Sequence, residues 1–144
     1  MATVKGVVAT AIAAGGLSNA FLQGLVDGRV KCMLDSYVVL GTEAAASTIT
    51  LGGNLPVGAN VIAILLSVED AQASATFSVG DAGSATRYAS AHTGLQTADT
   101  AVIIRGTNRV ITGTDDQQIV LTTGGATLTA SSGGLKIAVL YSMD

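Results

Sequence analysis

Val61-Ile62-Ala63-Ile64-Leu65-Leu66-Ser67-Val68 decides the fold. Its first six residues form the longest apolar run in the chain. They suit one strand and fall far short of the ~20 apolar residues of a membrane-spanning helix. Leu55-Pro56-Val57-Gly58-Ala59-Asn60, which holds the only proline, precedes the run as a turn cluster. Glu69-Asp70-Ala71-Gln72 follows it as a polar break. A short apolar segment between turn signals reads as a central strand buried on both faces.

Period-two patterning continues on both sides of it. Val30, Cys32, Leu34, Ser36 and Val38 alternate with Arg29, Lys31, Met33, Asp35 and Tyr37. This pattern predicts a half-buried strand that turns its first set, Cys32 included, to the core. Further strands are expected over 48–51, 75–79, 87–90, 118–122 and 135–142. Residues 100–104 and 109–112 read as two paired strands around Arg105-Gly106-Thr107-Asn108. Gly80-Asp81-Ala82-Gly83-Ser84-Ala85, Gly113-Thr114-Asp115-Asp116 and Gly124-Gly125 supply turns. No long helical period occurs. The spacing predicts an all-β jelly roll or β-sandwich of about eight to ten short antiparallel strands. It excludes alternating α/β architecture.

Residues 1–28 differ in kind, being low in complexity and rich in Ala, Gly, Val and Thr. They read as an extended N-terminal arm lying on a neighbouring subunit, or as an irregular edge segment packed on its own domain. The sandwich domain is expected over 29–144. Lys5 and the apolar residues after it loosely imitate a secretory signal, but Thr10, Gly15 and Gly16 interrupt the run, so it is expected to be retained.

Composition points to assembly. Of 144 residues, 49% are hydrophobic and 12% charged, with a net charge of −3 and no Trp. Soluble domains usually carry about 25% charged residues. A surface so poor in charge has little colloidal protection and is expected to be buried in part against other subunits, as a homo-oligomer or a docked subunit. The seven basic residues form no run, which argues against nucleic-acid binding. No segment is long enough for a helical membrane span. One unpaired Cys32 fits assembly in a reducing cytoplasm.

Catalytic chemistry has few candidates. His92 is the only histidine and the only ordinary general base, and its Ser90-Ala91-His92-Thr93-Gly94 surroundings read as an exposed loop. There is no Gly-x-Ser-x-Gly elbow. One His and one Cys cannot build a zinc site. Asp115-Asp116 and Asp81 lie in turns, but lack the spacing of a calcium loop. Gly80 and Asp81 are read as a structural turn, with Asp81 capping its own backbone and pairing with Arg87. No catalytic residue, metal or cofactor is expected.

At several points the chain resembles the decoration (cement) proteins of tailed-bacteriophage capsids. The residues that carry this are Gln23-Gly24-Leu25-Val26-Asp27-Gly28-Arg29-Val30-Lys31, the Leu55-Pro56-Val57-Gly58-Ala59 turn, Phe77-Ser78-Val79-Gly80-Asp81-Ala82-Gly83-Ser84-Ala85-Thr86-Arg87-Tyr88, and Ile137-Ala138-Val139-Leu140-Tyr141-Ser142. The resemblance runs from about residue 23 to the C-terminus. It implies a jelly-roll virion protein, often trimeric, seated on the outer capsid surface and holding major capsid protein subunits together. The host cytoplasm would be the place of assembly. Contact with capsid or neighbouring subunits is then expected from Val7, Val8, Ile12, Leu17, Phe21, Leu22 and Leu25 in the arm, with Arg29 and Lys31 facing capsid carboxylates. Two alternatives stay open: another virion part (a head-fibre base, head–tail joining or tail subunit), and a glycan-binding attachment module using Tyr37 or Tyr88.

Overall fold

The computed structural model describes residues 30–143. The expected arm, with its seven contact candidates and Arg29, lies outside the described residues. Eight strands follow in order: β1 (Val30–Val39), β2 (Thr48–Leu51), β3 (Asn60–Val68), β4 (Thr76–Asp81), β5 (Ser84–His92), β6 (Thr100–Val110), β7 (Ile119–Gly124) and β8 (Ser131–Ser142). No helix occurs among the described residues.

The strands form two four-stranded sheets, ordered β1-β8-β3-β6 and β2-β7-β4-β5. First and last strands are neighbours, then second and seventh, third and sixth, fourth and fifth. The chain is thus a long hairpin bent at the β4–β5 turn and rolled up, so that successive pairs fall in alternate sheets. That is jelly-roll connectivity, within the expected all-β class.

The core lies between the inner faces. Ile64, Leu66 and Val68 of β3 and Leu135, Ile137 and Val139 of β8 meet Ile119 and Leu121 of β7 and Phe77 and Val79 of β4, all nearly inaccessible to solvent. Alternation along each strand puts one residue in two on this face. Connecting segments add Leu55, Leu95, Ile111 and Leu128.

Two sequence expectations are corrected. Residues 100–110 form one strand instead of a hairpin. Its pairing with β3 shifts by two residues between Arg109↔Val61 and Arg105↔Ala63. Gly106 and Asn108, read as turn signals, serve a bulge instead. Asn108 takes a left-handed backbone (φ 52°), and a Cβ on Gly106 would stand 2.2 Å from the Val61 carbonyl oxygen. The last strand, expected over 135–142, begins four residues earlier at Ser131.

The second correction concerns β1, where the two faces are exchanged. Cys32 is exposed, as are Leu34 and Val38, while Met33 and Tyr37 pack on the core and Val39 is buried. The longer side chains of the second set reach the β1–β2 connection and the residue that follows β2. The Met33 methyl lies where a Gly52 side chain would start. Tyr37 Oη donates to Glu43 Oε1 at 2.5 Å. Leu34 and Val38 do not share that reach, and point outward.

Candidate docking face

The outer face of the β1-β8-β3-β6 sheet is apolar where a solvated sheet would be polar. Register fixes its rows. Ile103 of β6 stands opposite Leu65 of β3, and Leu65 opposite Ala138 of β8. Arg105, Ala63 and Leu140 make the next row, and Ala101, Ser67 and Lys136 the row on the other side. On β1, Leu34 is 74% and Val38 56% exposed, and Ile103 reaches 69%. A shallow depression of about 480 Å³ runs between Leu34, Asp35 and Ser36 and the β8 residues Lys136 and Ile137.

A bulge widens this face. β3 carries one extra residue against β8 between Val61 and Ala63. Alternation resets there, so Ile62 and Ala63 both stay off the core while Val61 and Ile64 are fully buried. The charged side chains in these rows are Arg105 and Lys136, both cationic. Such a face suits a partner with an apolar patch and flanking carboxylates.

The opposite sheet presents different chemistry. Thr48, Thr122 and Ser78 form one outward row, followed by Thr50, Val120 and Gly80. Thr48 and Thr50 are exposed and keep their hydration, so burying them gains little, while the Thr122 hydroxyl is already buried. The two faces of one sandwich therefore differ in what they can bind.

Charged groups gather at the β4–β5 end. Asp81 is buried; its Oδ1 accepts from the backbone N–H groups of Gly83 (3.1 Å) and Ser84 (2.8 Å), and its Oδ2 from Arg87 Nε. Gly80 is required there because a Cβ would stand 2.0 Å from the Ser84 carbonyl oxygen. Asp116 closes the β6–β7 connection by accepting from the Thr112 and Gly113 amides, the Thr112 hydroxyl (2.8 Å) and Arg109 (3.1 Å). Burial pushes its pKa up, but these donors outweigh it and hold the carboxyl at about 2. Between the two clusters lies a cleft of about 330 Å³ lined by Gly83, Arg87, Arg109 and residues 112–116. Both arginines are committed to carboxylates of their own chain. This end is built to hold two connections together.

The remaining candidates are dispersed. His92 ends β5, and its Nδ1 accepts the Gly94 N–H at 3.0 Å. Lys31 is exposed on β1 and joins neither of the two ion pairs among the described residues. No three His, Cys, Asp or Glu side chains among the described residues are grouped to hold a metal. Tyr37 is tied to Glu43, and the Tyr88 hydroxyl is buried, which raises its pKa to about 12. Both rings are half-buried and pack in part against the core.

The contact residues expected from the sequence lie in the arm, outside the described residues, and the outer sheet face was not among them. Its signal was present in the apolar second parity of 61–68 and in Leu34 and Val38. It was read as evidence of burial on both sides.

No family model and no curated protein matches the chain. Among solved structures, a chain of the Ralstonia phage GP4 capsid is 19% identical over 81% of this chain and 86% of its own, with a TM-score of 0.64, a likeness of fold. A chain of the cyanophage Pam1 capsid asymmetric unit is 32% identical, covering 80% of this chain and 85% of its own, with a TM-score of 0.66. At that identity and coverage, the protein belongs to the same family as this Pam1 capsid chain, a family of phage capsid-related proteins.

Proposed function

We propose that the protein is a non-catalytic structural component of a tailed-phage virion that binds the outer capsid surface and reinforces contacts between major capsid protein subunits. The observation that carries this is the exposed apolar face of the β1-β8-β3-β6 sheet in a chain whose relative is part of a capsid. Leu34, Leu65 and Ile103 supply contact area, while Arg105 and Lys136 meet carboxylates on the capsid. The N-terminal arm, from Val7 to Leu25, adds a second contact, and the protein acts as a homo-oligomer, with a trimer favoured. Each contact is weak alone; many copies on one shell supply avidity.

A reconstruction of the particle tests this reading. Hundreds of copies on the outer shell, with this sheet facing capsid protein, are the expected result. A dozen or fewer copies at one vertex would assign the chain to a connector or fibre base instead.

A further inference from the structure

The polar cleft at the β4–β5 end is lined by two guanidiniums that are only partly used. Arg87 reaches Asp81 through Nε, and Arg109 reaches Asp116 through Nη2. A guanidinium carries several N–H donors in a rigid fork, so each arginine keeps donors beyond the one its carboxylate takes. Arg109 Nε is enclosed by protein and has no acceptor among the described residues. That cation can therefore gain a further acceptor only through its terminal nitrogens. Arg87 Nη2 lies 3.1 Å from the point where a side chain on Gly83 would begin. Glycine at this position leaves the nitrogen uncovered.

A third carboxylate at the cleft does not take up these donors. Asp115 is exposed and joins neither of the two ion pairs among the described residues, while its backbone carbonyl accepts the Gly83 N–H at 3.0 Å. Its charge decides which ligand suits. Asp81, Asp115 and Asp116 set three negative charges beside the two positive ones of Arg87 and Arg109. A doubly charged phosphate is repelled strongly by such a group. A single carboxylate, flat and matched to the guanidinium fork, brings less repulsion for the same directed bonds.

We propose that this cleft, between the β4–β5 turn and the β6–β7 connection, is a carboxylate-binding site in which N–H groups of Arg87 and Arg109 hold one carboxylate. Its chemistry fits a small organic acid or an acidic side chain of a protein partner. The bound group completes a run of alternating charge from Asp81 through Arg87 and Arg109 to Asp116, and so clamps the two connections. This inference stands whether or not the capsid reading holds.

Nitrogen-15 NMR of the full-length chain titrated with sodium acetate tests it, with sodium chloride at equal ionic strength as the blank. The Nε–H signals of Arg87 and Arg109 should move together and saturate, with half-saturation on the order of millimolar. The signal of Arg105, exposed on the other sheet, should stay in place. Asp115→Asn removes a repelling charge from an exposed side chain and should tighten binding about two- to fivefold. A cleft that serves the fold alone would show no such gain. Arg87→Lys replaces the fork with a point charge and should weaken binding at least about fivefold. A blocked glycyl-glutamyl-glycine peptide separates the two sources: tighter binding than acetate assigns the site to a partner's acidic side chain, weaker binding to a free acid. Shifts that do not saturate, that chloride reproduces, or that show no tighter binding in Asp115→Asn would each overturn the proposal.

Discussion

Gln72 and Thr129 hydrogen-bond to each other twice, across 57 residues of sequence, as two strand residues would. The Thr129 N–H donates to Gln72 Oε1 at 2.8 Å, and Gln72 Nε2 donates to the Thr129 carbonyl at 3.2 Å. One side-chain amide thus supplies a rung of ladder between the β3–β4 and β7–β8 connections. Gln72 is 1% exposed, so no water replaces it readily. Gln72→Ala should cost about 2–3 kcal/mol by stranding two backbone groups. Gln72→Glu, which keeps the shape and loses the donor, should recover only part of that. Urea unfolding of the three proteins measures it.

Acid should loosen two specific connections. Burial pushes the Glu43 pKa up, but donation from Tyr37 and from the Leu40 and Gly41 amides outweighs it, leaving the carboxyl at about 2 against an ordinary 4.5. Asp116 is likewise held at about 2, against 3.8. Both ionise more readily in the folded protein, so their stabilisation is complete above about pH 4.5 and drains away as pH falls through about 2. Its size is on the order of 2–3 kcal/mol for each. In Glu43→Gln the acid side of the stability profile should be shallower, as followed by thermal melts between pH 6 and pH 2.

The β4–β5 turn tolerates no side chain at Gly80. An added Cβ meets the Ser84 carbonyl oxygen at 2.0 Å and the Ala85 carbonyl carbon at 2.4 Å, both backbone atoms that cannot swing away. Gly80→Ala should destabilise by about 1–3 kcal/mol. Gly53→Ala, with nothing within 4 Å, is the matched control and should be near neutral. Chemical denaturation midpoints compare them.

The docking face should separate binding from folding. Ile103→Asp and Leu34→Asp sit on exposed positions and should change stability by no more than about 0.5 kcal/mol. Both should abolish occupancy on capsids that lack the protein, as counted by quantitative gel analysis after purification of the particles. Undiminished binding by the double variant would remove this face from the capsid contact.

The arm is testable by removal. Residues 31–144 form a compact unit, so deletion of 2–22 should leave the circular dichroism and melting of the sandwich unchanged. Capsid occupancy should fall. Wild-type occupancy by the shortened chain would show that the sandwich alone makes the contact.

The all-β class was legible because strand length, alternation and turn residues all agreed. What stayed hidden was tertiary. Gly106 and Asn108 carry the chemistry of a hairpin turn, and only the neighbouring β3 reveals that they serve a bulge. In β1, both parities contain apolar side chains, so hydrophobicity did not choose between them. The choice fell to Tyr37, which reaches Glu43, and to Met33, which reaches Gly52. The Asp81–Arg87 and Asp116–Arg109 pairs sit six and seven residues apart. Local spacing of that kind can be read directly, whereas the Gln72–Thr129 pair cannot.

Neighbouring placement of β1 and β8 constrains how the polypeptide is made. Among the described residues the first strand to leave the ribosome waits for the last, and β8 is also an inner strand flanking β3. One edge of β3 can pair with β6 as soon as that strand is made, whereas its other edge stays open until β8 follows. Topologies dominated by such distant pairings have high contact order and fold slowly. Truncation anywhere before Leu135 removes the strand that joins β1 to β3 and leaves the β1-β8-β3-β6 sheet open.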